Sequence, residues 1–165
     1  MEDFVCITRE HSIILRVMKK PASDNQDGES HQEELVRLTL EGLLPVNQEL
    51  VLNLAERTMI LISHDSDDKV TKVQEKRFSP NGMYVLVPLL RAYPKYCHHE
   101  ELFASLNSLP LEEAYQQMHE MRDLTIRSVR RAISSLPARL RAFGWQVRSI
   151  RGEGYLIEAI PIKPV

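Results

Sequence analysis

In this chain of 165 residues the spacing of apolar residues changes from two to three and four at Ser79. Before it, Val36, Leu38 and Leu40 alternate with Arg37, Thr39 and Glu41, and Leu50, Leu52 and Leu54 alternate with Val51 and Asn53. A period of two places successive side chains on opposite faces of a strand. Residues 58–63 form a short run of β-formers, and residues 69–77 alternate again after the polar turn Asp65-Ser-Asp-Asp68. After Ser79 the spacing becomes three and four. Met83, Leu86, Val87 and Leu90 share one helical face, and Ser79-Pro80 supplies an N-cap followed by proline at the first helical position. Further helices are predicted over 98–106, 111–121 and 125–143. The last carries the apolar stripe Val129, Ile133, Leu136 and Leu140. Two strands, 145–150 and 154–160, close the chain around the tip Arg151-Gly-Glu-Gly154, whose glycines permit a tight turn. The expected class is α+β: an antiparallel sheet, then helices, then a terminal β-hairpin.

Prolines qualify this pattern. Pro137 lacks the backbone donor that a helix interior needs and clashes with the preceding turn, so the fourth helix is expected to kink or break near Ser135. A kink is expected at Pro88 for the same reason. Nearer the start, residues 4–9 and 12–18 read as a hairpin turning at Glu10-His11. Residues 21–32 are polar, acidic and without large apolar groups, so they are expected to form a mobile loop.

Charge divides the chain unequally. Residues 122–151 hold eight arginines against the single acid Asp123, a net +7, inside a protein of net charge −2. Residues 1–121 hold 12 Lys+Arg against 20 Asp+Glu, a net −8, and residues 152–165 add −1. A concentrated basic segment of this kind is the electrostatic footprint of a polyanion partner. On the predicted fourth helix, Arg127, Arg130, Arg131 and Ser134 fall opposite the apolar stripe. Arginine donates bidentate hydrogen bonds to guanine edges or phosphate, which makes these three the candidate base-edge or backbone contacts. Ser128 and Ser134 can add phosphate contacts. At the hairpin, Arg151 and Arg148 suit a narrow, electronegative minor groove. The alternative for each arginine is an ion pair with the acidic half of the chain.

Other functions find little to stand on. Cys97-His98-His99-Glu100 is the one metal-like cluster, but adjacent residues at a helix start do not converge on one ion. No nucleophile elbow, phosphate loop or dinucleotide glycine motif occurs, so no enzyme, metal or cofactor is expected. His11, His31, His64 and His119 read as surface residues. Cys6 and Cys97, in no Cys-x-x-Cys spacing, suit a reducing compartment and inert packing. The longest apolar run, residues 83–90, is far short of the roughly 20 residues a membrane span needs. With no secretory signal at the first residues, a cytoplasmic protein without a membrane partner is expected.

Several of these residues carry a resemblance. The stretch Phe78-Ser-Pro-Asn-Gly-Met-Tyr-Val-Leu continues to His98-His-Glu-Glu-Leu-Phe103. It resembles the opening of the OmpR/PhoB-type effector domain of bacterial response regulators, written Leu-Thr-Pro-x-Glu, an apolar helix, a turn and Val-Val-Ser-Arg-Glu-Glu-Leu. Arg127-Ser-Val-Arg-Arg-Ala-Ile resembles that family's recognition helix. Val147-Arg-Ser-Ile-Arg-Gly-Glu-Gly-Tyr155 resembles its wing, Ile-x-Thr-Val-Arg-Gly-x-Gly-Tyr. The likeness covers residues of about 78 to 158, and 48–77 in architecture only.

The resemblance implies a winged helix-turn-helix over 48–165, preceded by a strand-rich extension over 1–47. It implies sequence-specific binding of double-stranded DNA by a homodimer, with the fourth helix in the major groove. Arg148, Arg151, Gly152, Gly154 and Tyr155 then form the wing at the minor groove. It also implies an RNA polymerase or co-regulator surface on the connection 107–124, through Glu112, Tyr115, Gln116 and Glu120. The simpler reading there is that Tyr115, Met118 and Met121 cover core. Residues 1–47 are too few for the phospho-receiver domain of about 120 residues that such regulators carry, so aspartate phosphorylation is not the expected switch. Two other readings remain open. One is a winged-helix module that meets protein rather than DNA; the other is a regulator whose N-terminal sheet senses a small molecule.

Overall fold

The computed structural model describes residues 35–161. The expected hairpin at 4–18, the loop at 21–32, Cys6, His11 and His31 lie outside the described residues. Elements follow the order β1 (Leu35–Leu38), β2 (Gln48–Asn53), β3 (Thr58–His64), β4 (Val70–Arg77), α1 (Pro80–Ala92), β5 (Cys97–His98), α2 (His99–Asn107), α3 (Leu111–Glu120), α4 (Arg122–Ile133), α5 (Pro137–Leu140), β6 (Trp145–Ile150) and β7 (Gly154–Ala159). The class is mixed α+β. Two compact units divide between Arg77 and Phe78, whereas composition and resemblance had set the boundary between 47 and 48. Among the described residues no helix is long and apolar enough to cross a membrane.

The first unit is an antiparallel sheet in the order β1-β2-β3-β4. Register explains the alternation in the sequence: Val36 faces Leu52, Leu38 faces Leu50, Leu50 faces Leu61 and Leu52 faces Met59. All six are buried. Cross-strand apolar pairs on one face are the unit of sheet stability. Leu54, expected to continue β2, lies instead in the turn to β3, because the Asn53 side chain accepts a hydrogen bond from the Glu56 amide at 2.9 Å. Arg57 completes that turn at φ 56°. The predicted turn at 65–68 is held by Asp65, whose carboxylate accepts from the amides of Asp67 and Lys69 at 2.9 Å. Edge strand β4 leaves Val70 and Val73 exposed but carries Lys72 and Lys76 beside them, charges that oppose edge-to-edge aggregation.

The second unit packs α1, α2, α3 and α4 against one another and sets a small sheet, ordered β5-β7-β6, beside them. Ser79 caps α1 by accepting from the Gly82 amide at 3.1 Å. α1 runs through Pro88, which leaves the Tyr84 carbonyl without its helical donor. The Ser105 hydroxyl of α2 donates to that carbonyl at 2.6 Å and replaces the missing bond. At the other proline the single helix expected over 125–143 is divided. α4 starts at Arg122, ends at Ile133, and the chain resumes helical form only at Pro137, followed by a 3-10 turn at Arg141–Phe143. Two consecutive hydroxyls mark the exit: Ser134 donates to the Arg131 carbonyl and Ser135 to the Ala132 carbonyl, each at 2.7 Å. Side-chain bonds of this type compete with the helical ladder. α5 therefore starts with proline at its first position, where no donor is needed.

Candidate nucleic-acid interface

α4 is amphipathic. Thr125, Val129, Ala132 and Ile133 are buried, and Arg127, Arg130, Arg131 and Ser134 are exposed on the opposite side. Its twelve residues make a rod of about 18 Å. Arg127 lies three residues from Arg130 and four from Arg131, so the guanidinium groups are neighbours on one face. Like charges so placed cost roughly 0.2–0.5 kcal/mol per pair, a penalty that an anionic partner removes. Arg130 and Arg131 also stand in the last turn, where cations complement the helix dipole. Among the described residues none of Arg127, Arg130, Arg131 or Arg151 is paired with a carboxylate. Ser134 has its proton committed to the Arg131 carbonyl, whereas the half-buried Ser128 has no such bond. Arg139 and Arg141 stand beyond the break at Pro137, in the elements that follow α4.

The β6–β7 hairpin places its candidates in different environments. Arg151 is exposed at the tip, next to Gly152, which turns the chain at φ 77°. Arg148 is exposed too, but its Nε donates to Glu158 at 3.0 Å across the hairpin, and Gln146 donates to the same carboxylate at 2.9 Å. The hydrogen bond from Arg148 holds the Glu158 carboxyl below the usual glutamate value against the opposing effect of burial, with the Gln146 hydrogen bond and the Arg148 charge assisting. Gly154 and Tyr155 are buried, so their part is to hold the hairpin rather than to face solvent. A Cβ on Gly154 would sit 1.9 Å from the Cys97 carbonyl oxygen. Only glycine lets β7 approach β5 this closely. Tyr155 packs edge-on against the buried His99, with ring centroids 5.4 Å apart. Glu153 fastens the tip to β5: its carbonyl accepts from the His99 amide at 3.1 Å, and its carboxylate lies 3.4 Å from the Tyr96 hydroxyl.

The residues 97–100 diverge. The Cys97 thiol turns to Glu101 at 3.5 Å, His98 lies 4.0 Å from Glu153, and His99 packs edge-on against Tyr155. Among the described residues no three His, Cys, Asp or Glu side chains gather into a metal-binding group. Burial, then the charge of Glu101, pushes the Cys97 thiol pKa up. On α3, Glu112, Tyr115, Gln116 and Glu120 are all exposed, and Gln116 bonds Glu120 at 3.2 Å. Of the three residues read as core cover, Met118 is buried, whereas Tyr115 is 51% and Met121 48% exposed.

A feature absent from the sequence reading lies beside α4. An open concavity of about 650 Å³ joins the start of α1, the end of α2 and one flank of α4, with Ser79, Asn81, Asn107, Arg127, Ser128 and Arg131 among its walls. No family model matches this chain, and neither a curated protein nor a solved structure matches it.

Proposed function

We propose that the chain is a non-enzymatic, cytoplasmic transcription regulator that binds double-stranded DNA through a winged helix-turn-helix. α2 and α4 act as the helix-turn-helix with α3 inserted between them, and β6–β7 acts as the wing. The observation that carries the reading is the arginine face of α4, three neighbouring guanidinium groups that no carboxylate among the described residues neutralises. A major groove about 12 Å wide admits a helix of this size. Arg151 at the exposed tip is the candidate for the minor groove, where backbone phosphates crowd and the potential is most negative. The likeness of residues 78–158 to OmpR/PhoB-type effector domains points the same way.

Contact with protein of the transcription machinery is a second reading. It is favoured by four exposed apolar side chains, Leu111 and Tyr115 on α3 and Met121 and Leu124 where α3 gives way to α4. Selection of bound sequences from random duplex DNA tests the first reading. The intact chain is expected to enrich a defined site, and the Arg130→Ala, Arg131→Ala double variant to lose that enrichment. Equal enrichment by both would remove α4 from the interface.

A further inference from the structure

The arginines of α4 are not equivalent. Leu124, Ser128, Arg131 and Ser135 follow one another at steps of four, three and four along one flank, and all four line the concavity against α1 and α2. Asp123, Arg127, Arg130 and Ser134 form the next row outward. Arg127 reaches into the concavity from that row, whereas Arg130 does not line it. Among the described residues no Asp or Glu lines it, and those that do offer guanidinium, hydroxyl and amide groups. These are the groups that bond phosphate oxygens in protein–DNA complexes. Base edges lie along the floor of a groove, in front of a helix docked there, and phosphates lie at its sides.

Resting on the DNA-binding reading, we infer that this concavity seats a backbone phosphate of the bound duplex, held by Arg127 and Arg131, and that Arg130 is the arginine of α4 that reads base edges. The two roles differ in chemistry. A phosphate accepts either cation, so lysine replaces arginine there with little loss. A bidentate contact to a guanine edge is shaped for the planar guanidinium fork, and lysine, which also reaches the O6 and N7 acceptors, meets them as a flexible point charge with a different reach. Both residues are exposed, so their replacement leaves the core intact.

Binding of the full chain to a selected duplex and to single-base variants of it, measured by fluorescence anisotropy across a salt series, separates the roles. Arg131→Ala is expected to weaken all duplexes alike and to reduce the log–log salt slope by about one, whereas Arg131→Lys restores both. Arg130→Ala is expected to erase discrimination at one base position, a loss of roughly tenfold or more, and Arg130→Lys to leave it reduced rather than restored. Asn81→Asp places a carboxylate in the concavity. An acid in the first turn favours the helix, so weaker DNA binding with an undiminished melting temperature is expected. A changed base preference in Arg131→Ala, or unaltered binding in Asn81→Asp, overturns the phosphate seat while leaving DNA binding in place. Failure of the intact chain to bind any duplex overturns the functional reading itself.

Discussion

Replacing Gly154 by alanine tests how the hairpin is held. The new Cβ would lie 1.9 Å from the Cys97 carbonyl oxygen, 2.9 Å from its carbon and 3.0 Å from His98 Cα, all backbone atoms. An ordinary contact begins near 3.4 Å, so β5 and β7 must separate by about 1.5 Å, the difference between 3.4 and 1.9. A retreat of that size breaks the 3.1 Å bond between the His99 amide and the Glu153 carbonyl, together with the pairing of Cys97 with Tyr155 and His98 with Gly154. Overpacking costs about 1–3 kcal/mol, and each lost hydrogen bond adds roughly 0.5–1.5 kcal/mol. Counting the His99–Glu153 bond alone, the sum is about 1.5–4.5 kcal/mol, or a melting temperature lower by roughly 6–36 °C for a domain of 60–100 residues. Gly152→Ala is the control. It sits at φ 77° with nothing within 4 Å, so only backbone strain of about 1–2 kcal/mol applies. Thermal and urea unfolding of both variants give the comparison. A Gly154→Ala protein as stable as Gly152→Ala would refute the close approach of β5 and β7.

Two further outcomes follow from the second unit. Glu158 is lowered by Arg148, so its contribution to stability is present above the ordinary glutamate value of 4.5 and is lost as pH falls through the lower folded value. The gap in melting temperature between the natural chain and Glu158→Gln should therefore narrow on acidification, and a gap that stays constant from pH 7 to pH 3 would count against the Arg148 contact. Cys97 is buried and its thiol pKa is raised, and thiolate is the reactive form. In a Cys6→Ser background, alkylation of Cys97 at pH 8 should proceed only at the rate of unfolding; fast labelling of the folded protein would contradict its burial.

Local chemistry was readable from the sequence; long-range approach was not. Period-two alternation located β1, β2 and β4, a run of β-formers located β3, Ser79 announced the cap of α1, and Pro137 announced the division that ends α4, because each signal acts through neighbours in the chain. Leu54 misled because its alternation continued past a turn that the Asn53 side chain had already begun. The boundary at 47/48 differs from the division at Arg77/Phe78, since β1 pairs with β2 across the point where the resemblance begins. For the candidate site, the arginine face of α4 followed from helical spacing alone. The tie between Arg148 and Glu158, the burial of Tyr155 and the concavity lined by Arg131 and Asn81 arise from residues brought together across the fold, which no local pattern encodes.

The measurement closest to the central proposal is the salt dependence of duplex binding by the full chain. If the unpaired guanidinium groups of α4 and the hairpin tip neutralise phosphates, affinity should fall steeply as salt rises, with a log–log slope of roughly −0.9 for each phosphate contacted. Three or four such contacts predict a slope near −3, and a flat response or no duplex binding at low salt would contradict docking on DNA.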